Sequence, residues 1–251
     1  MAFVYETERN LDFNKNYEEN ELGPGQYLPI TNEKEIKENI IPFLSSEEKL
    51  KYKQNDNPGP GTYYRDITKE EDIKNMVEQS INKFKKIDIL INNAGIAIDT
   101  TFEDKTKENF MKTIDTNLIG PFLLSKYVGN YMLREKEGCI INISSTNGID
   151  TYYEYSIDYD ASKAGLISLT HNLALHFAPY IRVNAVAPGW IKTEMNKNMD
   201  EQYKKEEEKK ILLKRFAEPE EIATVVYFLT TQEAKYINNE TIRVDGGTMH
   251  A

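Results

Sequence analysis

Tyr159 and Lys163 stand four positions apart in the phrase YDASKAG, so on a helix they share one face, one turn from each other. A phenol with a pKa of about 10 is a poor proton donor or acceptor near neutrality, and an adjacent ammonium favours its phenolate. The pair therefore reads as a tuned proton exchanger, although an isolated Tyr-x-x-x-Lys is far more often structural. Fourteen residues upstream, Ser145 closes the run CIINISS, where the carboxyl end of a strand would place a hydroxyl in the crevice that α/β sheets use for ligands. The plainer reading is a serine that ends a strand. Asn117 lies in a helical stretch otherwise marked by Phe110, Ile114, Leu118 and Phe122, an unusual setting for an amide side chain. Pro121 has no N–H for the carbonyl of Asn117, so a kink is expected there, with that carbonyl open to a water or another donor.

Strands alternating with helices would position these groups. TKEEDIKNMVEQSINKFKK pairs Thr68 with Glu71 at capping-box spacing and puts Ile73, Met76, Val77, Ile81 and Phe84 on one helical face. IDILINNAG reads as a strand buried on both faces and closed by a glycine turn. A helix is expected from about Lys105 to Leu133, then a strand at CIINISS, a helix from about Asp158 to Ala178 and a strand at IRVNAVAPG. A polar helical stretch, a helix at PEEIATVVYFL and a last strand at TIRVDGG follow. Such alternation calls for an α/β fold, a parallel sheet covered on both faces.

The chain of 251 residues has length for one large α/β domain, or a smaller one with an appendage. A formal charge of -10 speaks against nucleic-acid and anionic-membrane partners, both of which reward excess Lys and Arg. Cys139 is the only cysteine, which excludes an intramolecular disulfide and suggests a reducing compartment, hence a cytoplasmic protein. No stretch approaches the roughly 20 apolar residues needed to cross a bilayer.

Taken together, NNAG at 92–95, Asn117, Ser145, Tyr159 with Lys163, APGWIKTEM at 187–195 and VDGG at 244–247 resemble a short-chain dehydrogenase/reductase over residues 66–249. The resemblance implies a Rossmann-like, doubly wound parallel sheet and reversible hydride transfer between NAD or NADP and a small-molecule carbonyl or alcohol. It assigns Tyr159 as the acid or base, Lys163 as the group that lowers its pKa and binds the nicotinamide ribose, Ser145 as the residue that positions the reacting oxygen, and Asn117 as the holder of a water. It further assigns Asp66 and Ile67 to the adenine, Asn93, Ala94 and Gly95 to the adenosine ribose, and Pro188, Gly189, Ile191 and Thr193 to the nicotinamide and pyrophosphate. Residues from about Glu194 to Arg215 would form a substrate lid, and APGWIKTEM is shared with 3-oxoacyl thioester reductases among others. A homodimer or homotetramer is implied as well.

The resemblance also marks a gap. Members of that family begin with a strand, a glycine-rich turn and further strands before the position matched by Asp66, and residues 1–65 contain no such turn. The expected fold is thus truncated of its first three strands, with IDILINNAG as an open sheet edge and cofactor binding weak or absent. A junction of two unrelated segments near Tyr64 explains the same gap equally well. Residues 1–65 are expected to be an irregular, turn-rich segment beside a reductase-like unit at 66–251. LGPGQYLP at 22–29 and PGPGTYY at 58–64 resemble sperm-tail PG-rich repeats, which implies microtubule contact through residues 22–64 and a ciliary or cytoskeletal setting as the alternative role.

Overall fold

The computed structural model of the chain describes residues 2–5, 66–196 and 199–248, with only the backbone described for 2–5. The PG phrases and the predicted boundary at residue 65 lie outside these residues.

A five-stranded sheet runs β1 (Ala2–Tyr5), β2 (Ile89–Asn92), β3 (Gly138–Ile143), β4 (Ile181–Pro188) and β5 (Thr241–Val244), with neighbours in space also neighbours in sequence. Strands β2 to β5 are parallel, as the alternating pattern requires. Strands β2 to β4 alternate their side chains between two cores, because successive Cβ atoms of a strand point to opposite faces. Leu90, Ile140 and Val183 face one core, whereas Ile89, Cys139, Ile141 and Val186 face the other. That is why these strands read as continuous apolar runs.

Helices α1 (Glu70–Phe84), α3 (Gly120–Glu135) and α4 (Ile157–Phe177) cover the first face with Ile73, Val77, Leu124, Val128, Met132, Leu173 and Phe177. The second face is covered by α6 (Pro219–Thr230) through Ile222, Val226 and Leu229. Two further helices complete the described chain: α2 (Lys107–Ile114) leads into α3, and α5 (Glu201–Lys210) lies between β4 and α6. Among the described residues no helix is long and apolar enough to cross a membrane.

Four local expectations are corrected. The outer edge of β2 is not open: β1 pairs with it antiparallel, Ala2 opposite Asn92 and Tyr5 opposite Ile89. An edge strand offers unpaired N–H and C=O groups that any extended segment can satisfy. The Thr68–Glu71 capping box does not form, since α1 is capped at Lys69 without a side-chain bond and Thr68 donates instead, through both its N–H and its hydroxyl, to Asp66 Oδ1. The Asp66 carboxylate, two residues back, takes the Thr68 N–H that the Glu71 side chain would accept in a capping box. Phe84 is 43 % exposed, at the end of α1 where the apolar face has run past the core, with Lys83 over its ring.

The fourth correction concerns the long helix expected from Lys105 to Leu133. Helix does run from Lys107 to Glu135, but a π-helical turn at Asp115–Ile119, in which the N–H of Gly120 bonds to the carbonyl of Asp115, separates α2 from α3. Pro121 stands at the start of α3, where its missing donor costs least. The wide turn carries Asn117 into the interior, where it is fully buried. Its extra residue shifts the helical phase, so Phe122, expected on the apolar stripe, is 42 % exposed.

Candidate active site

The four residues that sequence spacing selected come from three elements and meet at the carboxyl ends of β2 and β3. Tyr159 sits in the first turn of α4 and Lys163 one turn later, its ammonium 5.4 Å from the centre of the Tyr159 ring. Lys163 Nζ is buried and donates to the carbonyl of Ile143, the last residue of β3, at 2.8 Å. Burial lowers its pKa from 10.5 to about 8. No carboxylate among the described residues forms an ion pair with it. A buried ammonium with a main-chain carbonyl for partner is therefore set to give its other protons to a ligand.

Asn117 is tied by its amide to Ile96 on both sides, accepting from the N–H and donating to the carbonyl at 2.9 Å each. It also donates to Ser162 Oγ at 3.0 Å, and Ser162 donates to the carbonyl of Tyr159 at 2.7 Å. One amide thus fixes the turn after β2 against the first turn of α4. That turn contains Asn93, Ala94 and Gly95, all half-buried. A Cβ at Gly95 would stand 3.4 Å from Lys163 Nζ and 3.5 Å from Asn117 Oδ1, so this glycine floors the space between the two.

Ser145 follows β3 and caps a short 3-10 turn, Thr146–Gly148. The preceding Ser144 donates to the carbonyl of Lys163 at 2.9 Å. Gly148 closes the contact: a Cβ there would lie 2.6 Å from the carbonyl carbon of Lys163, nearer than real Cβ atoms come. The serine loop is therefore pressed backbone against backbone onto α4. The nearby hydroxyl of Ser145 lowers the pKa of the Tyr159 phenol. The larger effect is the opposite one. Desolvation raises the pKa of Tyr159, and Asp160 and Asp99 add to the rise. Burial outweighs the serine, so this phenol stands above its ordinary value in this geometry.

Asp66, Ile67, Pro188, Gly189, Ile191 and Thr193 lie around this centre rather than in it. The Asp66 carboxylate is occupied by Thr68, which lowers its pKa, and Ile67 packs against the start of α3, 3.1 Å from where a Gly120 Cβ would be. Pro188 ends β4, and Gly189 continues the ladder by donating to Val244 at 3.0 Å. Ile191 is bridged to Ala217, and Thr193 accepts from the N–H of Asn196.

Several site residues escaped the sequence pattern. The expected lid is anchored by Trp190, stacked on Phe216 at 5.4 Å, edge-on to Tyr203 at 6.4 Å, and donating to Glu207 Oε2 at 3.1 Å. Burial, with Glu207 beside it, pushes the Tyr203 phenol up to about 12. Lys105 and Asp158 form a buried ion pair at 2.9 Å, with side chains 4 % and 0 % exposed, and Thr113 donates to the same carboxylate at 2.7 Å. Asn147 and Asp160 make a third cluster beside Ser145. Their only sequence signal is polarity next to Tyr159. Below the site Asn92 and Asn142, opposite each other in β2 and β3, are joined at 2.8 Å, and Asn142 donates on to Thr170 of α4 at 2.9 Å.

A family model described as Enoyl-(Acyl carrier protein) reductase matches residues 45–249. The chain is 39 % identical over 186 residues to the 3-oxoacyl-[acyl-carrier-protein] reductase FabG of Thermotoga maritima, covering 74 % of this chain and 75 % of that protein. It is also 39 % identical over 183 residues to the acetoacetyl-CoA reductase of an Acinetobacter species, covering 72 % and 73 %. Among solved structures, ElxO with NADP bound superposes with a TM-score of 0.69 at 32 % identity, covering 73 % of this chain and 76 % of that one.

Proposed function

From the premise that the chain belongs to the short-chain dehydrogenase/reductase family of oxidoreductases, we propose that it interconverts a carbonyl and an alcohol with NAD or NADP. The observation that carries this reading is the grouping of Asn117, Ser145, Tyr159 and Lys163 at the carboxyl ends of β2 and β3.

The nicotinamide end of a dinucleotide fits the residues present. Lys163 holds donors for a ribose diol in a buried place with no carboxylate to compete, and Gly95 leaves room beside it. The phosphate end is less complete among the described residues. The helix that precedes β2 opens on Glu70, Glu71 and Asp72, whose charges repel a pyrophosphate where helix N–H groups would otherwise attract one. Asn93, Ala94 and Gly95 on one side and Gly189, Ile191 and Thr193 on the other remain as the binding residues, with Asp66 and Ile67 at the adenine. When bound, a reduced nicotinamide supplies the hydride.

The chain's own work is proton transfer and orientation. Ser145 holds the carbonyl oxygen, and Tyr159, kept protonated by burial, gives its proton as that oxygen becomes an alkoxide. Lys163 stabilises the phenolate that remains, and Asn117 keeps the turn after β2 in register with both. The reading takes a 3-oxoacyl thioester as its first substrate class, by analogy with the two named relatives. It takes residues 66–251 as the catalytic unit and a homodimer or homotetramer as the assembly.

The test is a titration with NADH and NADPH followed by nicotinamide fluorescence, with Lys163→Ala beside the wild type, and then reduction of acetoacetyl-CoA. Saturable binding lost in Lys163→Ala and turnover lost in Tyr159→Phe are expected. Turnover that survives Tyr159→Phe unchanged would sink the proposal.

A further inference from the structure

Asp160 follows Tyr159 directly, and its carboxylate is a pure acceptor. Oδ1 receives Asn147 Nδ2 at 2.7 Å and Ser156 Oγ at 3.4 Å, while Oδ2 receives the N–H of Tyr153 at 3.1 Å. Because only the NH2 of Asn147 can face a carboxylate, its oxygen must point the other way. There it lies 3.4 Å from Ser145 Oγ, as acceptor of the serine hydroxyl, while the N–H of Asn147 donates to the same Oγ at 3.2 Å. A hydroxyl has one hydrogen to give. The hydrogen of Ser145 is therefore given to Asn147 Oδ1 and not to the oxygen of Tyr159, the nearby group it would otherwise serve.

We propose that Asn147 and Asp160 are positioning residues that draw the hydroxyl hydrogen of Ser145 away from Tyr159, so that the phenol keeps its own proton until substrate arrives. The inference rests on Tyr159 as the proton donor. It adds to that reading a switch in hydrogen-bond direction: an incoming carbonyl oxygen competes with Asn147 Oδ1 for the serine hydrogen, and the serine's lone pairs stay available to the phenol before that. The chain of hydrogen bonds runs Asp160, Asn147, Ser145, across the junction of the serine loop with α4 that Gly148 closes, and Tyr159 is the residue next to Asp160. Other charges face the same phenol. Asp99 comes from the turn after β2, Asp158 is neutralised by Lys105, and Lys163 lies one helical turn on. Tyr153, in the loop before α4, is itself flanked by Asp99 and Glu207.

The test follows the Tyr159 ionisation directly, by NMR of protein labelled at the tyrosine ring carbon that bears the oxygen, with Tyr159→Phe to assign the signal. Removing the amide in Asn147→Ala frees the serine hydrogen for the phenolate, and the Tyr159 midpoint should fall by about one unit, a tenfold rise in acidity. In a Ser145→Ala background the same change should have no further effect. Asn147→Ser serves where the alanine variant does not fold. A midpoint that stays put in a folded Asn147 variant, or that moves equally with Ser145 absent, overturns the proposal. In turnover, the alkaline limb of kcat for carbonyl reduction should move with the midpoint while KM holds. If the wild type turns nothing over, the functional reading fails but the titration still decides the relay. If turnover is present and the midpoint is unmoved, only the relay fails.

Discussion

The buried pair of Lys105 and Asp158 offers the sharpest test of how the site is held, because it joins the loop before α2 to the residue next to Tyr159. Replacing Lys105 by Met keeps the apolar stem and removes the ammonium. At 2.9 Å and an effective dielectric near 20, the lost attraction is roughly 6 kcal/mol, part of which is returned because a lysine no longer has to be desolvated. The Asp158 carboxylate is left with the hydroxyl of Thr113 in a place without solvent. Breaking such a pair from one side costs about 3–5 kcal/mol. Unfolding in urea should show that loss as a lower midpoint with an unchanged slope, and in heat as a fall of about 6–20 °C in Tm. The double change Lys105→Met with Asp158→Asn should recover most of the stability, since no charge is then stranded. A single variant that loses under about 1 kcal/mol, or a double that is no better than the single, would refute the reasoning.

Three other outcomes follow from the geometry. Lys163 binds its proton less tightly when folded, at about 8 against 10.5, so the folded state carries fewer protons between those values and stability rises with pH across that window. Lys163→Met should stabilise the protein by up to about 3 kcal/mol at pH 7, a gain that shrinks from pH 8 upward and is gone near 10.5, measured as the difference in unfolding free energy from wild type. Gly148→Ala forces a Cβ into the backbone of Lys163 and Ala164 and should cost about 1–3 kcal/mol or more in thermal unfolding, whereas Gly95→Ala meets ordinary contacts and should cost less. Trp190→Ala removes the stack on Phe216 and the bond to Glu207, so trypsin should cleave α5 at Lys204 or Lys205 faster than in wild type.

Strands β2 to β4 were legible because they are apolar runs covered on both faces, and α1 and α6 because their apolar residues recur at the helical period, whereas β1 at Ala2–Tyr5 was not expected at all. The four central residues of the candidate site could be placed from sequence for a related reason: Asn117 stands near Pro121, Ser145 at the end of β3, and Tyr159 and Lys163 at the start of α4. What spacing could not show is contact between distant segments. Lys105 and Asp158 are 53 positions apart, and nothing in either phrase announces the other. The phase of the helix around Asn117 was misread because a π turn adds a residue to the period, so Phe110, Ile114, Leu118 and Phe122 do not form one stripe. Asn239 takes the left-handed conformation at φ 64, which asparagine tolerates better than most side chains. The upward shift of Tyr159 was not legible, because burial acts on the phenol whichever way the neighbouring ammonium turns.

The contact at Gly148 has a mechanical meaning. Where two main chains touch with no side chain between them, there is no rotamer to relax, and the joint behaves as a hard stop rather than a spring. The spacing of Ser145 from Tyr159 and Lys163 is then a fixed dimension of the scaffold, the same for any molecule that enters. Divergence toward new substrates would leave that dimension untouched and work on the compliant walls around it, where Tyr153 and Tyr155 meet at 5.4 Å and Trp190 faces Tyr203.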